Sequence, residues 1–116
     1  MNLAILQGRL TRDPEIKTTT SGSKITSFTL AIDRGGKSKE TDFIDCKAWG
    51  KTGEFVSQYF TKGKLITVEG SIQTRTYETQ DGTKRKVTDI LVSSVDFVPG
   101  SYAEAKPSGD EEELRF

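Results

Sequence analysis

The run Asp42-Phe43-Ile44-Asp45-Cys46-Lys47-Ala48-Trp49 alternates with a period of two. That period marks an extended strand with two unlike faces. Ile44, Cys46 and Ala48 share one face, small and apolar, suited to a core. Phe43, Asp45, Lys47 and Trp49 share the other. A half-buried strand ordinarily turns polar groups outward, whereas this one turns out two large rings with a lysine between them. At ~3.3 Å per residue the rings stand on the order of 20 Å apart. Two readings follow. The face is a platform for unpaired bases on a phosphate backbone, flat and anionic along its length. Alternatively, both rings pack on another protein surface.

The same period recurs on either side of this strand. Leu3 to Leu10 places Ala4, Leu6, Gly8 and Leu10 on one face and Leu3, Ile5, Gln7 and Arg9 on the other. Both faces begin apolar, so a second subunit is a candidate to cover one of them. Asp13-Pro14 breaks the run, and a short extended piece, Glu15 to Thr18, leads to turn residues 19–23. Lys24 to Ile32 follows as a strand with Phe28, Leu30 and Ile32 on its core face. After Trp49 the period changes. Phe55, Val56, Tyr59 and Phe60 form the stripe of a short helix lying on a core, with Thr52 as N-cap, Glu54 at its positive end and Lys62-Gly63 at its close.

Lys64 to Tyr77 is then a long strand with Ile66, Val68 and Ile72 facing in, and Gly70 marks a bulge or sharp bend. Its other parity ends in Arg75 and Tyr77, so an aromatic and a cation again share a non-core face. A hairpin built on Asp81-Gly82 returns the chain as Arg85 to Val98. There Val87, Leu91, Val95 and Phe97 lie on one side, and Ile90 and Val92 on the other. Five main strands with one helix between the third and fourth predict an all-β chain, a five-stranded OB-fold barrel. That domain is expected over residues 1–99, with a short, acidic, disordered tail over 100–116.

Cations concentrate in two loops. Residues 33–41 carry Arg34, Lys37 and Lys39 around a glycine pair, either an arm that folds over an anionic ligand or a solvated hairpin tip. Lys84, Arg85 and Lys86 cluster beside the second hairpin. The net charge of zero hides an asymmetry. Residues 1–99 hold 15 Lys and Arg against 12 Asp and Glu, while 100–116 hold 2 against 5. A mildly basic body suits an anionic partner. The last seven residues, Asp110, Glu111, Glu112, Glu113, Leu114, Arg115 and Phe116, read either as a hook that docks on partner proteins or as a solubilising tail.

Several function classes recede. No window is apolar enough to span a membrane. The start lacks a basic leader and is too short for a signal peptide, and Cys46 is the only cysteine, so a reducing, cytoplasmic setting is expected. There is no histidine, the lone cysteine faces inward, and the acids of the body lack metal-ligand spacing. No catalytic residue, metal or cofactor is expected.

In order along the chain stand Ile5-Leu6-Gln7-Gly8-Arg9-Leu10-Thr11, Asp13-Pro14-Glu15, Ser21-Gly22, Phe28-Thr29-Leu30-Ala31, Asp42-Phe43-Ile44-Asp45-Cys46 and Trp49-Gly50-Lys51. Tyr59-Phe60, Lys62-Gly63, Val68-Glu69-Gly70, Gln73-Thr74-Arg75-Thr76-Tyr77 and Gln80-Asp81-Gly82 complete the set. With these pieces the chain resembles, over about residues 1–98, the bacterial single-stranded-DNA-binding proteins of the homotetrameric OB-fold type. The resemblance implies base stacking on Phe43, Trp49 and Tyr77. It implies phosphate binding by Lys17, Lys51, Lys62 and Arg75, to which the cluster Lys84, Arg85 and Lys86 is added. It implies a homotetramer paired through the first strand, and docking of replication or repair proteins on the C-terminal tip. Three departures qualify it. Loop 33–41 is short and holds no stacking aromatic, Leu114-Arg115-Phe116 replaces the family's usual ending, and the linker before it is short. The altered ending argues against partner docking, and so compact a chain suits a phage or mobile-element origin.

The expected function is sequence-tolerant binding and protection of single-stranded DNA in replication, recombination and repair. A non-enzymatic OB-fold adaptor for a protein or RNA is the competing reading. The aromatic-plus-cation pattern on two strands favours nucleic acid over it. A nuclease is the third, and the missing histidine and metal spacing count against it.

Overall fold

The structure, a computed structural model, describes residues 1–98. Six strands and one helix follow in order: β1 (Ala4–Leu10), β2 (Glu15–Thr18), β3 (Lys24–Asp33), β4 (Thr41–Trp49), α1 (Gly50–Tyr59), β5 (Leu65–Glu78) and β6 (Lys84–Phe97). They form one sheet in the order β1-β5-β6-β4-β3-β2. It closes on itself, because β1 also pairs with β3 through Arg9↔Ala31 and Leu10↔Leu30. All neighbours are antiparallel except β4 and β6, which are parallel. The expected all-β chain is therefore present, a ring of five strands with one short helix. The extra short strand β2 hydrogen-bonds to the outer edge of β3. Closing the ring pairs the edges that an open sheet leaves bare.

The inner face holds the core. Leu10, Phe28, Leu30, Cys46, Ala48, Ile66, Val68, Ile90 and Val92 are buried there together, with Val56 and Phe60 from the helical segment. The alternation of β4 holds throughout: Cys46 and Ala48 are buried, while Phe43, Asp45 and Trp49 are exposed. The helix covers one end of the ring against β3, β4 and β6. Behind it Phe60 stacks on Phe97, with centroids 5.0 Å apart, and Phe55 meets Phe97 edge-on at 5.6 Å. Tyr59 contributes its ring to the rim of this cluster and stays exposed.

Three expectations about side-chain placement fail for identifiable reasons. Val95 and Phe97 pack with the core instead of sharing a side with Leu91. The pairing runs Glu69↔Ser94 and then Gly70↔Val92, which leaves Ser93 as an extra residue in β6. That bulge reverses the parity of everything after it. Ser93 donates its hydroxyl to the Glu69 carbonyl there. Gly70 is the expected bend, and it is required: a Cβ at that position would lie 2.0 Å from the Leu91 carbonyl oxygen.

Ile72 lies opposite the buried Ile90, yet it is 47% exposed. The last β1 pair is Ala4↔Gly70, so β5 has already run past the cover that β1 supplies. The helix, finally, begins at Gly50, not after a Thr52 cap, and no side chain caps its N-terminus. Gly50 has φ +57°, a conformation that lets strand β4 turn directly into the helix. At the other end Lys64, buried and not Lys62, donates to the Tyr59 carbonyl at 2.9 Å, the cation at the negative pole.

Candidate nucleic-acid interface

The outward face of the sheet can be traced row by row, because residues directly opposite one another share a face. One row runs Glu15, Ser27, Lys47, Leu91, Ser71 across β2, β3, β4, β6 and β5. The next runs Lys17, Ile25, Trp49. Stepping by two along β4 from Lys47 reaches Phe43 in one direction and Trp49 in the other. Stepping by two along β5 from Ser71 reaches Arg75 and Tyr77. Phe43, Trp49 and Tyr77 thus stand on one continuous face. They are 66%, 46% and 47% exposed, which is unusual for rings whose burial ordinarily drives folding.

The cations distribute unevenly around these rings. Arg75 projects from β5, and Arg85 lies directly opposite Tyr77. Lys17 shares a row with Trp49, and Lys51 stands in the first turn of α1, two residues after it. Lys84 and Lys86 pair with Glu78 and Thr76, so they point to the opposite face of the β5–β6 arm from Arg85. The structure does not bring Lys62 to this group. It lies beyond the far end of the ten-residue helix, ~15 Å long, where its backbone N–H donates to Asp13.

Loop 34–40 joins β3 to β4, and Arg34 is already engaged there. Its guanidinium donates to both carboxylate oxygens of Asp42, at 3.0 to 3.2 Å, and pairs with Glu40. The hydrogen bonds from Arg34 hold the Asp42 carboxyl below its ordinary 3.8, and the Asp42 carboxylate raises Arg34 in turn. Lys37 and Lys39 remain exposed. In the second hairpin Asp81 spends its carboxylate on the turn, accepting from the Thr79 hydroxyl and the Thr83 backbone N–H. Those bonds, Thr79 first, lower its pKa.

Trp49 also walls a cleft of about 160 Å³, lined further by Ile25, Lys47, Gln73, Arg75, Asp89 and Leu91. Of these only Trp49 and Arg75 are among the site residues expected from the sequence. Lys47 and Asp89 both have the outward parity, which was a usable signal. What brings them together is the parallel pairing of β4 with β6, and no local pattern announces it. On the inner side, burial pushes the Cys46 thiol up to about 12, with Asp45 and Asp89 adding to the shift, so the thiol is not a nucleophile at neutral pH.

Among the described residues no group of three or more His, Cys, Asp or Glu is placed to hold a metal ion, and no helix is long and apolar enough to cross a membrane. The acidic tip, Asp110, Glu111, Glu112, Glu113, Leu114 and Phe116, lies outside the described residues.

Sequence comparison agrees with this geometry. Residues 1–98 match the family described as Single-strand binding protein family. A protein of Clostridium perfringens (strain 13 / Type A) named single-stranded DNA-binding protein is 49% identical over 107 residues, covering 91% of this chain and 71% of that one. One of Clostridium acetobutylicum, named single-stranded DNA-binding protein 3, is 49% identical over 102 residues, covering 84% and 71%. Another, from Clostridium tetani and named single-stranded DNA-binding protein, is 48% identical over 103 residues, covering 84% and 70%. The chain belongs to the single-strand binding protein family.

Proposed function

We propose that this protein binds single-stranded DNA along the outward face of β4, β6 and β5, with little regard to sequence. The observation that carries the reading is the exposure of Phe43, Trp49 and Tyr77 on one face with cations between them. Every base has a π-face, so stacking at about 1–3 kcal/mol per base is sequence-tolerant. Duplex DNA hides those faces, which gives the preference for single strands. Arg75, Arg85, Lys17 and Lys51 neutralise phosphates along the path, while Lys84 and Lys86 extend the field around the arm. Lys62 contributes from the far side of the helix only if the strand wraps that far. The binding serves to cover and protect exposed strands in replication, recombination and repair.

The same reading includes self-association through β1. Leu3 and Ile5 are 51% and 63% exposed at its start, an apolar pair that a second copy would cover. A homotetramer built on that contact places several DNA faces on one particle.

A dye-labelled oligo(dT), titrated by anisotropy against the same oligomer annealed to its complement, tests the proposal. Tight binding to the single strand, weakening as salt rises, and much weaker binding to the duplex are expected. Equal affinity for both forms contradicts it.

A further inference from the structure

The most enclosed charge on the outward face is an acid. Asp89 is 7% exposed, although its strand, β6, runs through the middle of the proposed DNA path. One carboxylate oxygen, Oδ2, lies 3.3 Å from Arg75 Nε and 3.5 Å from Lys47 Nζ. The two cations approach from the two strands that flank β6. Lys47 faces Leu91 across β4 and β6, and Arg75 faces Val87 across β5 and β6. Each is therefore the diagonal neighbour of Asp89, on opposite sides.

By itself a buried carboxylate in this place repels phosphate and carries a desolvation cost. Its position makes sense through the pair it holds. The two contacts keep a lysine and an arginine nitrogen within about 7 Å of each other, where their mutual repulsion needs a negative charge between them. Neither cation is used up. Arg75 spends only Nε, which leaves the N–H groups of both η nitrogens, and Lys47 meets Asp89 as an ion pair at 3.5 Å, which leaves its ammonium donors to a ligand. Both side chains still reach solvent, at 33% for Lys47 and 55% for Arg75. They border the cleft that Trp49 walls.

We infer that Lys47, Arg75 and Asp89 form a two-cation phosphodiester subsite beside Trp49, in which Asp89 is the positioning residue. Lys47 and Arg75 donate to the non-bridging oxygens of one phosphate while the neighbouring base stacks on the indole. Asp89 does not touch the DNA and acts only through the two cations. This inference rests on the outward face being the DNA face.

The test measures oligo(dT) affinity by anisotropy across a salt series for the full chain and for Asp89→Asn, Lys47→Met/Arg75→Met, the triple variant and Trp49→Ala. Asp89→Asn removes a negative charge, so charge counting alone has it bind more tightly. The subsite has it bind about fivefold more weakly at 0.1 M salt, with the slope of log K against log salt shallower by about 0.7, one phosphate's worth. In the Lys47→Met/Arg75→Met background, Asp89→Asn then changes little. Tighter or unchanged binding by Asp89→Asn overturns the inference, as does equal weakening in both backgrounds. Should Asp89→Asn expose the buried Cys46 to a thiol reagent, the Lys47→Met/Arg75→Met arm decides. A slope shallower by about 0.7 supports the subsite, and an unchanged slope overturns it. Trp49→Ala separates the two levels. Weaker binding there with tight Asp89→Asn keeps the face and discards the subsite, whereas full affinity in Trp49→Ala overturns both.

Discussion

The two long hairpins of this protein look alike in sequence and differ in electrostatics. Each carries three cations near its tip, Arg34, Lys37 and Lys39 in one and Lys84, Arg85 and Lys86 in the other. In the β3–β4 hairpin three acids match them, Asp33, Glu40 and Asp42, and Arg34 is clasped by two of these. In the β5–β6 hairpin Asp81 is committed to the turn. Lys84, Arg85 and Lys86, like Lys37 and Lys39, have no ion-pair partner among the described residues, so the two tips differ at Arg34. A cation has little left for a phosphate once all its nitrogens are spent on its own chain's carboxylates, as Nε and both η nitrogens of Arg34 are. Counting lysines and arginines misses that distinction, and tracing each carboxylate recovers it.

The largest effect that follows belongs to the second hairpin. Replacing Lys84, Arg85 and Lys86 together by alanine is expected to weaken oligo(dT) binding on the order of 10-fold at 0.1 M salt and to flatten the salt slope by about 1, chiefly through Arg85, the one of the three on the DNA face. A loss no greater than that of the matching Arg34, Lys37 and Lys39 variant breaks the comparison.

A smaller effect, of opposite sign, comes from freeing the first hairpin. Glu40→Gln with Asp42→Asn releases Arg34, and binding should tighten about fivefold at 0.1 M salt with a slope steeper by about 0.7. Unchanged affinity in that variant makes loop 34–40 a solvated tip that never reaches the DNA.

The smallest effect concerns pH. Asp42 has a lower pKa folded than its ordinary 3.8 because Arg34 donates to it. As pH falls, the unfolded chain takes up that proton first, so the clasp's stabilising contribution is whole above 3.8. It is lost as pH drops through the lower, folded value. The Asp42 carboxyl should titrate below its ordinary value by NMR in the native protein and return toward it in Arg34→Gln, with no change in stability between pH 7 and 5. A native Asp42 that titrates at its ordinary value removes the clasp from the account.

Much of the fold was legible because most strands keep their alternation from end to end. Phe43 to Trp49 could be sorted by parity alone, and so could Phe28 and Leu30. What escaped was whatever depended on a partner strand. Nothing near Val95 and Phe97 signals that Ser93 is an extra residue, because a bulge is defined by what lies across from it. Ile72 has core chemistry, and its exposure comes from where β1 starts. Lys84, Arg85 and Lys86 read as one patch, although the period of two already splits Arg85 from its neighbours. The cleft at Asp89 needs the β4–β6 pairing, which joins strands about forty residues apart and leaves no local mark.

Trp49 is the only tryptophan, so its fluorescence reports on one point of the proposed path. With saturating oligo(dT) a base stacked on the indole should quench most of that emission, with quenching and binding following the same titration curve. Binding that leaves the Trp49 emission unchanged would mean the DNA runs elsewhere on the protein, and the exposed rings of the outward face would need another purpose.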